Sequence, residues 1–260
     1  MDAWTSGDGY ESYIGRWSRL VAPRFLAWLD APPGLAWLDV GCGTGALAST
    51  ILKAAAPARV LGIDRSEAYL AHARQQVTDP RISFRNGDAQ ALPARDGEFE
   101  AVVSALALNF VPDPAKALSE FRRVLIPGGL VAVYVWDYAL GMQYLQRFWD
   151  CAAELDANAA ALKEGRRFAL CNPGPLREAL ERAACSDVEV RPIDIPTTFR
   201  DFDDYWTPML SGQGAAPAYV ATLDDAARTR LRERLRESLP YREDGSIELV
   251  ARAWAVRARR

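Results

Sequence analysis

The segment Leu38-Asp39-Val40-Gly41-Cys42-Gly43-Thr44-Gly45 decides the fold. An apolar run, residues 35–40, leads into these glycines, and residues 46–56 follow with a helical pattern. Glycine lets the backbone turn tightly between a strand and a helix, and the helix N-terminus offers free N–H groups to a ligand. Taken alone, the loop also fits a dinucleotide-binding fingerprint or a purely structural turn, so other residues must decide which ligand it serves.

Strand and helix patterns alternate around this loop. The expected strands are residues 35–40, 59–63, 82–85, 99–105, 130–136, 188–195 and 247–256, and the expected helices are residues 46–56, 66–77, 115–125 and 176–185. Near-continuous apolar strands separated by helices of this length predict a parallel sheet that is covered on both faces. Ser66 is expected to cap its helix, and Pro127-Gly128-Gly129 to stop the helix that precedes it.

The rest of the chain departs from this alternation. Residues 10–33 read as an N-terminal helical lead, residues 138–168 as a helix, and residues 201–239 as a helix-rich stretch. We therefore expect a single domain over residues 1–260, with helical insertions at 137–172 and 201–240 that form a cap on the substrate side.

The composition of the chain limits the classes of protein and of functional site to which it can belong. The chain has 260 residues and a net charge of −3, with 50% apolar and 25% charged residues, a balance typical of a soluble globular protein. No apolar run is long enough for a membrane span, and the first 15 residues lack the signal-peptide pattern, so a cytoplasmic protein is expected. The one histidine, His72, and four cysteines without a C-x-x-C spacing argue against a His/Cys metal cage, so no metal is expected.

Two acidic residues follow the next two strands. Asp64 ends the second expected strand, where open α/β sheets bind ligands, and its carboxylate is suited to accept two ribose hydroxyls. Asp88 lies after the third strand in Gly87-Asp88-Ala89-Gln90-Ala91-Leu92-Pro93 and is suited to accept a base amine. Each acid alone would more often be an ordinary helix-start or loop residue, so the argument rests on their combination with the glycine loop.

Together these segments resemble the class I S-adenosylmethionine-dependent methyltransferases, most closely the group that includes quinone-biosynthesis and many small-molecule enzymes. The resemblance runs from about Trp37 to Trp136. It implies a Rossmann-like, doubly wound, seven-stranded α/β sheet whose final strand is antiparallel. It also implies S-adenosylmethionine as the cofactor, S-adenosylhomocysteine as the product, and a methyl group transferred to a small molecule by in-line displacement, with the protein mainly positioning donor and acceptor.

The resemblance also assigns cofactor-binding roles. The residues concerned lie in the glycine loop and after the next three strands: Asp39, Gly41, Gly43, Gly45, Asp64, Arg65, Asp88, Ala89, Ser104 and Ala105. In similar enzymes an N-terminal helix closes over the cofactor, so Arg16 and Trp17 are added, with Arg16 paired to the methionine carboxylate. Simple packing of that helix on the sheet is an equally good interpretation of these two residues.

The sequence indicates the residues that would bind the methyl acceptor less clearly than those that would bind the cofactor. Many relatives carry a histidine after the fourth strand, where this chain has Asn109, which can orient a substrate but cannot take a proton. No catalytic base is therefore assigned. Tyr13, Trp136, Tyr138 and Trp206 are the expected substrate-binding residues, and a helical cap with an aromatic core of its own is the alternative.

Other functions stay open at this point. An RNA-modifying methyltransferase would need a basic stripe, for which residues 228–236 are the candidate, but Glu233 and Glu237 interrupt the charge and no nucleic acid is expected. A nicotinamide-dependent oxidoreductase, a non-catalytic S-adenosylmethionine-binding protein and, remotely, thiol-based arsenite methylation are further alternatives. The expected assembly is a monomer or homodimer.

Overall fold

A computed structural model describes residues 11–212 and 214–260, so Tyr10, the first residue of the expected lead, lies outside the described residues. Its centre is a seven-stranded sheet in the order β3-β2-β1-β4-β5-β7-β6. The strands are β1 (Ala36–Val40), β2 (Arg59–Asp64), β3 (Ile82–Asn86), β4 (Phe99–Ala105), β5 (Leu125–Trp136), β6 (Ser186–Phe199) and β7 (Ile247–Arg259).

Helices join these strands. After a π-helical turn (Glu11–Gly15), the α-helices are α1 (Arg16–Leu29), α2 (Ala46–Ala54), α3 (Glu67–Gln76), α4 (Pro114–Val124), α5 (Gln143–Leu155), α6 (Glu164–Arg167), α7 (Pro173–Arg182), α8 (Phe202–Trp206), α9 (Ala215–Thr222) and α10 (Asp225–Ser238). Short 3-10 segments lie at Leu108–Phe110, Ala157–Leu162 and Thr207–Leu210. No helix among the described residues is both long and apolar enough to cross a membrane.

The strand directions confirm the expected fold. β1 pairs in parallel with β2 and β4, β2 with β3, and β4 with β5. β7 runs antiparallel: Gly128 donates to Arg260 at one end of its pairing with β5, and Asp137 donates to Arg252 at the other. This is the Rossmann-like doubly wound sheet with a reversed final strand.

The chain divides into two compact units. The sheet unit comprises residues 18–135, 170–193 and 253–260; the second unit comprises the described residues among 1–17, 136–169 and 194–252. The expected insertions at 137–172 and 201–240 fall largely in the second unit, which also takes in the ends of β6 and β7. A single domain over the whole chain stays a prediction.

The core of the sheet unit explains why its pattern was readable from sequence. All five residues of β1 are buried, including the acidic residue Asp39, as a central strand covered on both faces requires. α1 packs its apolar side inward: the ring of Phe25 meets that of Tyr134 edge-on at 4.8 Å. Ser66 caps α3, since its hydroxyl accepts a hydrogen bond from the backbone of Tyr69 at 3.3 Å, which confirms the expected cap.

Three local expectations differ from the structure. β5 begins at Leu125, before Pro127, because the irregularity in its register with β4 accommodates the Pro-Gly-Gly segment. Residues 138–168 are not one helix: a turn around Gly141 precedes α5, and the chain then breaks into a 3-10 segment and α6. The last two strands are longer than expected, since β6 covers Ser186–Phe199 rather than 188–195 and β7 covers Ile247–Arg259 rather than 247–256.

Candidate cofactor-binding site

The glycine loop is held by the end of β2. Gly41 and Cys42 both donate backbone hydrogen bonds to the carbonyl of Ile63, at 2.7 and 3.0 Å. Gly41 has a φ of +73°, and a Cβ there would stand 2.4 Å from the Cβ of Ala107. The loop after β4 therefore lies directly against the glycine loop, and only glycine fits at this position.

Gly43, unlike the crowded Gly41, has open space beside it. Its φ is +52°, and a Cβ placed on it would meet no heavy atom within 4 Å. Its N–H donates to the Oδ2 atom of Asp64 at 2.9 Å. The space beside Gly43 is thus open to a ligand, while the backbone is fixed by a carboxylate.

Asp64 connects three segments. Its Oδ1 atom accepts a hydrogen bond from the backbone of Ser66 at 2.8 Å, and its own carbonyl accepts one from Gly87 at 3.1 Å. Each carboxylate oxygen has a second lone pair, so Asp64 can still accept hydroxyl groups from a ligand. The site residue predicted at the end of β2 therefore lies beside both the glycine loop and the segment that carries Asp88.

Asp88 is held by its neighbour. Both of its carboxylate oxygens accept hydrogen bonds from the Gln90 side chain, at 3.1 and 3.3 Å, and Oδ1 also accepts from the Gln90 backbone at 2.9 Å. These bonds lower the pKa of Asp88, and the charge of Arg65 lowers it further, so the carboxylate stays ionised. The side-chain Oε1 atom of Gln90 accepts a hydrogen bond from the backbone N–H of Asp113 at 3.1 Å, which fixes the loop to the start of α4.

A second carboxylate lies deep beneath the loop. Asp39 is fully buried, and among the described residues neither of its oxygens has a hydrogen-bond partner of ordinary geometry. Burial, and then the charge of Asp64, raises the pKa of Asp39 to about 7, although the nearby backbone N–H of Ala48 opposes the rise. A buried carboxylate with spare accepting capacity is suited to a ligand's cationic or N–H group.

Sequence reasoning missed Tyr69. This residue of α3 has a buried hydroxyl with no hydrogen-bond partner in the described parts of the chain. Burial and the charge of Asp64 raise its pKa to about 12, so the hydroxyl keeps its proton and can donate. Its position five residues after Asp64 was the available signal, because one turn of helix places such a side chain back over the strand end.

The end of β4 and the loop after it carry three further predicted residues, Ser104, Ala105 and Asn109. Ser104 is buried, Ala105 is half-buried, and Leu106 adopts a left-handed conformation with a φ of +56°. The Nδ2 and Oδ1 atoms of Asn109 are both buried and unpaired among residues 11–212 and 214–260. Such a side chain can serve a ligand as donor and acceptor at once.

The other predicted residues belong to the second unit. Tyr13, Trp17, Trp136 and Trp206 are buried there, and Tyr138 stacks at a tilt on Phe168 with ring centroids 5.8 Å apart. Burial, with the charge of Glu164, raises the pKa of Tyr13 above its usual range. Arg16 pairs with Asp204, its Nη1 atom lying 2.8 Å from Oδ1. Their predicted contacts with cofactor or substrate stay predictions.

Most aromatic side chains of the second unit pack on one another. The hydroxyls of Tyr144 and Tyr205 each donate to the other residue's backbone carbonyl, at 3.1 and 2.8 Å. Phe199 lies 5.1 Å from both rings, and Phe148 lies 5.0 Å from Trp149. These contacts form two aromatic clusters in the unit, one of Tyr144, Phe199 and Tyr205 and one of Phe148 and Trp149.

Three of the five arginines of α10 form ion pairs within the second unit. Arg228 pairs with Asp225, Arg232 with Asp203 and Arg234 with Glu154, at 3.3, 3.0 and 2.6 Å. This arrangement fits a solvated, ion-paired helix face. No cluster of three or more His, Cys, Asp or Glu residues that could hold a metal is found in the described part of the chain.

The residues of the sheet unit fit the expected cofactor. A loop that leaves open space at Gly43, a carboxylate with spare lone pairs at Asp64, and unpaired polar groups on Asp39 and Tyr69 together offer donors and acceptors to a polar nucleoside. S-adenosylmethionine carries ribose hydroxyls, an adenine amine and an α-amino group, so its polar groups match these residues in kind.

Comparison with known proteins identifies the family. A model described as "Methyltransferase domain" matches residues 38–133. A 2-phytyl-1,4-naphtoquinone methyltransferase from Synechococcus elongatus is 33% identical over 173 residues, which cover 58% of this chain and 72% of that protein. A ubiquinone/menaquinone biosynthesis C-methyltransferase from Methylobacterium nodulans is 43% identical over 167 residues, covering 58% of this chain and 66% of that protein.

The fold has solved counterparts. A phosphoethanolamine N-methyltransferase from Haemonchus contortus, solved with S-adenosylhomocysteine, superposes with a TM-score of 0.59 at 20% identity, covering 97% of this chain and 56% of that one. For three other curated relatives the match spans only 30%, 48% and 39% of their own length. The family model covers the glycine loop and strands β2 to β4, with most of β1 and β5, and the chain belongs to the class I S-adenosylmethionine-dependent methyltransferases.

Proposed function

We propose that this protein transfers the methyl group of S-adenosylmethionine to a small-molecule acceptor. The observation that carries the proposal is the hydrogen bond between Asp64 and Gly43, which joins the ribose-accepting carboxylate to the open glycine loop. Named relatives that act on quinones support a small-molecule acceptor for this chain as well.

We propose cofactor roles for residues of the sheet unit, and the geometry of that unit supports them. Asp64 accepts the ribose hydroxyls, and Asp88, fixed by Gln90, accepts the adenine amine beside Ala89 and Arg65. The glycine loop, with Asp39 beneath it, takes the methionine portion, and Ser104 and Ala105 lie at the end of β4. When bound, the sulfonium supplies the electrophilic methyl group, so these residues need only bind and orient it.

Asn109 is the proposed acceptor-orienting residue. Its buried amide offers one acceptor and two donors, which can align a hydroxyl, an amine or a carbonyl of the acceptor. An amide cannot remove a proton near neutral pH, so we propose that the reaction depends mainly on alignment, which is worth roughly 7–11 kcal/mol in favourable cases.

The function is tested by turnover rather than by binding alone. The protein is incubated with S-adenosylmethionine and a panel of phenols, quinols, amines and carboxylic acids, and S-adenosylhomocysteine is measured by mass spectrometry. We expect release with at least one acceptor class and a kcat at least tenfold lower for Asn109→Ala, with the cofactor Kd unchanged. Cofactor binding without turnover of any acceptor would favour the non-catalytic alternative.

The RNA-modifying alternative is tested by measuring binding to nucleic acid. Binding to tRNA is measured at several salt concentrations, because phosphate contacts release counterions and give a steep salt dependence. We expect no salt-dependent binding, since three of the five arginines of α10 already pair with acids of their own unit. A steep dependence would favour the RNA-modifying alternative.

We further infer that the protein works in the cytoplasm as a monomer or homodimer. Cys42, Cys151, Cys171 and Cys185 are all free thiols, as is usual in a reducing compartment. Fractionation of cells that express the chain tests the location, and light scattering after gel filtration tests the assembly. Secretion or a larger oligomer would contradict these two inferences.

A further inference from the structure

Two side chains of α4 hold the chain that follows β3. Arg123 donates from Nε and Nη2 to the two carboxylate oxygens of Glu120, both at 2.7 Å, which is the bidentate geometry of a strong arginine–carboxylate pair. The Oε2 atom of Glu120 also accepts a hydrogen bond from the backbone N–H of Leu92 at 2.8 Å, and Nη2 of Arg123 donates to the carbonyl of Leu92 at 3.1 Å. The ion pair therefore binds both backbone groups of one residue.

Arg123 extends this hold along the chain. Its Nη1 atom donates to the carbonyl of Ala94 at 2.9 Å and to Oδ1 of Asp96 at 2.7 Å. The guanidinium thus makes five hydrogen bonds, as many as it has N–H donors. These bonds from Arg123 lower the pKa of Glu120, although partial burial opposes the shift, so the pair stays ionised. A side chain with fewer donors could not hold all of these acceptors.

Leu92 is attached directly to the turn that carries Asp88. The backbone N–H of Ala91 donates to the carbonyl of Asp88 at 3.0 Å, which closes a tight turn over residues 88–91. A Cβ on Gly87 would stand 2.9 Å from Pro93, so the chain before the turn packs against the chain after it. Residues 87–94, here called the Asp88 segment, are therefore compact, and a displacement of Leu92 is passed to the carboxylate of Asp88.

We propose that Glu120 and Arg123 are positioning residues for adenine recognition: by holding Leu92 they keep the Asp88 carboxylate in place for the adenine amine. A hydrogen bond weakens steeply when its distance and angle change, so loosening the Asp88 segment costs affinity for a ligand that carries the amine. A ligand without the amine does not lose this bond. The inference rests on the proposed function for the role of Asp88, but the hold on the segment can be tested without any ligand.

Hydrogen–deuterium exchange of the ligand-free protein tests that hold. Arg123→Lys keeps the charge but offers three donors in place of five. We expect amide exchange in the Asp88 segment to become at least tenfold faster in Arg123→Lys while exchange in β2 is unchanged, and to rise less in Glu120→Gln, which keeps an acceptor oxygen. Unchanged exchange in the segment, or equal acceleration throughout the sheet unit, would overturn the proposal.

Selectivity for the amine is measured by calorimetry with S-adenosylhomocysteine and with S-inosylhomocysteine, in which an oxygen replaces the adenine amine. We expect the wild type to bind S-adenosylhomocysteine at least tenfold more tightly. Arg123→Lys should lower that affinity at least fivefold and leave the affinity for S-inosylhomocysteine within about twofold. An equal loss for both ligands would show a merely structural role and overturn the proposal.

The same substitution in an Asp88→Ala background tests whether Arg123 acts through Asp88. Because the carboxylate is then absent, Arg123→Lys should change the affinity for S-adenosylhomocysteine by less than about twofold. Losses from the two substitutions that simply multiply would mean that Arg123 and Asp88 act independently, and would overturn the proposal.

Arg59→Lys is the matched control. Arg59 belongs to the same unit, donates to the carbonyl of Glu98 at 3.0 Å and pairs with its carboxylate at 3.6 Å, beyond the Asp88 segment. We expect this variant to show wild-type exchange in the segment and wild-type selectivity. If the wild type binds neither ligand, the proposed function fails and the adenine role with it. If the wild type is selective and Arg123→Lys is equally selective, the positioning role alone is rejected.

Discussion

The carboxylate of Asp64 accepts a hydrogen bond from the backbone N–H of Gly43 at 2.9 Å. This contact joins the end of β2 to the loop that follows β1, across 21 residues of sequence. Asp64 therefore has two roles: it holds the loop in shape and presents its remaining lone pairs to a ligand. Substitutions around this contact separate fold stability from cofactor binding.

Gly41→Ala is expected to destabilise the protein more than Gly43→Ala. Both residues have positive φ, which costs an alanine about 1–2 kcal/mol. At Gly41 the new Cβ also meets Ala107 at 2.4 Å, and such overpacking adds about 1–3 kcal/mol. Urea unfolding measures both variants, and Ala107→Gly in the Gly41→Ala background should recover part of the loss. Equal destabilisation of the two glycine variants would contradict this account.

Gly43→Ala is expected to weaken S-adenosylmethionine binding at least tenfold. Its Cβ would enter space that holds no protein atom within 4 Å, so the loss falls on the ligand rather than on packing. Calorimetry at a temperature well below the unfolding midpoint separates the two effects. Wild-type affinity in this variant would place the ligand elsewhere.

Asp39→Asn is expected to change how stability depends on pH. The pKa of Asp39 is about 7 in the folded protein and near 3.8 unfolded, so the folded state keeps a proton that the unfolded state has lost. This residue's contribution to stability is fully present below pH 4 and is lost as the pH rises to about 7. Between pH 5 and pH 8 the variant should therefore gain on the wild type, by at most about 3 kcal/mol.

Urea unfolding of both proteins at pH 5 and pH 8 measures that difference. Other acids of the sheet unit have lowered pKa values and act in the opposite direction, but they are common to both proteins and cancel. If the free energies of unfolding of the two proteins differ by the same amount at both pH values, Asp39 does not titrate in this range.

Glu164→Ala is expected to destabilise the protein by about 1–3 kcal/mol, whereas Glu164→Gln should cost less. Glu164 is buried, and its Oε2 atom accepts a hydrogen bond from the indole N–H of Trp149 at 2.6 Å. Alanine leaves that donor without this acceptor, while glutamine keeps an acceptor oxygen. Urea unfolding measures both variants. The two Glu164 variants are then compared in a Trp149→Phe background, which lacks the indole N–H. If they still differ in stability by the same amount, the hydrogen bond is not the cause of the difference.

The cofactor half of the molecule was predictable because its signals are local. The expected strand at residues 99–105 matches β4 in both bounds, and Ser66 caps α3 as its position before an amphipathic run predicts. The glycine loop and Asp64 are likewise set by a strand, a turn and the next strand end. Short-range rules of turn and cap geometry therefore suffice for this part of the fold.

The second unit was less predictable because contacts distant in sequence decide it. Tyr144 and Tyr205 are 61 residues apart and exchange hydrogen bonds, and only that pairing assigns them to a core rather than to a pocket. A Cβ at Gly165 would clash with the backbone of Tyr138 and Ala139, so residues 138–168 fold back on themselves instead of forming one helix. The ion pair of Arg16 depends on the placement of Asp204, 188 residues away.

One measurement tests the central claim most directly: calorimetric titration of the wild type, Asp64→Ala and Asp79→Ala with S-adenosylmethionine and, separately, with NAD. Asp79 is the matched control, an acid of the same unit that pairs with Arg81 at 2.7 Å. The account predicts that the wild type and Asp79→Ala bind S-adenosylmethionine alike and bind no NAD, while Asp64→Ala stays folded by circular dichroism and loses at least about 30-fold in affinity, or roughly 2 kcal/mol. Undiminished binding of S-adenosylmethionine by folded Asp64→Ala, or preferential binding of NAD by the wild type, would contradict it.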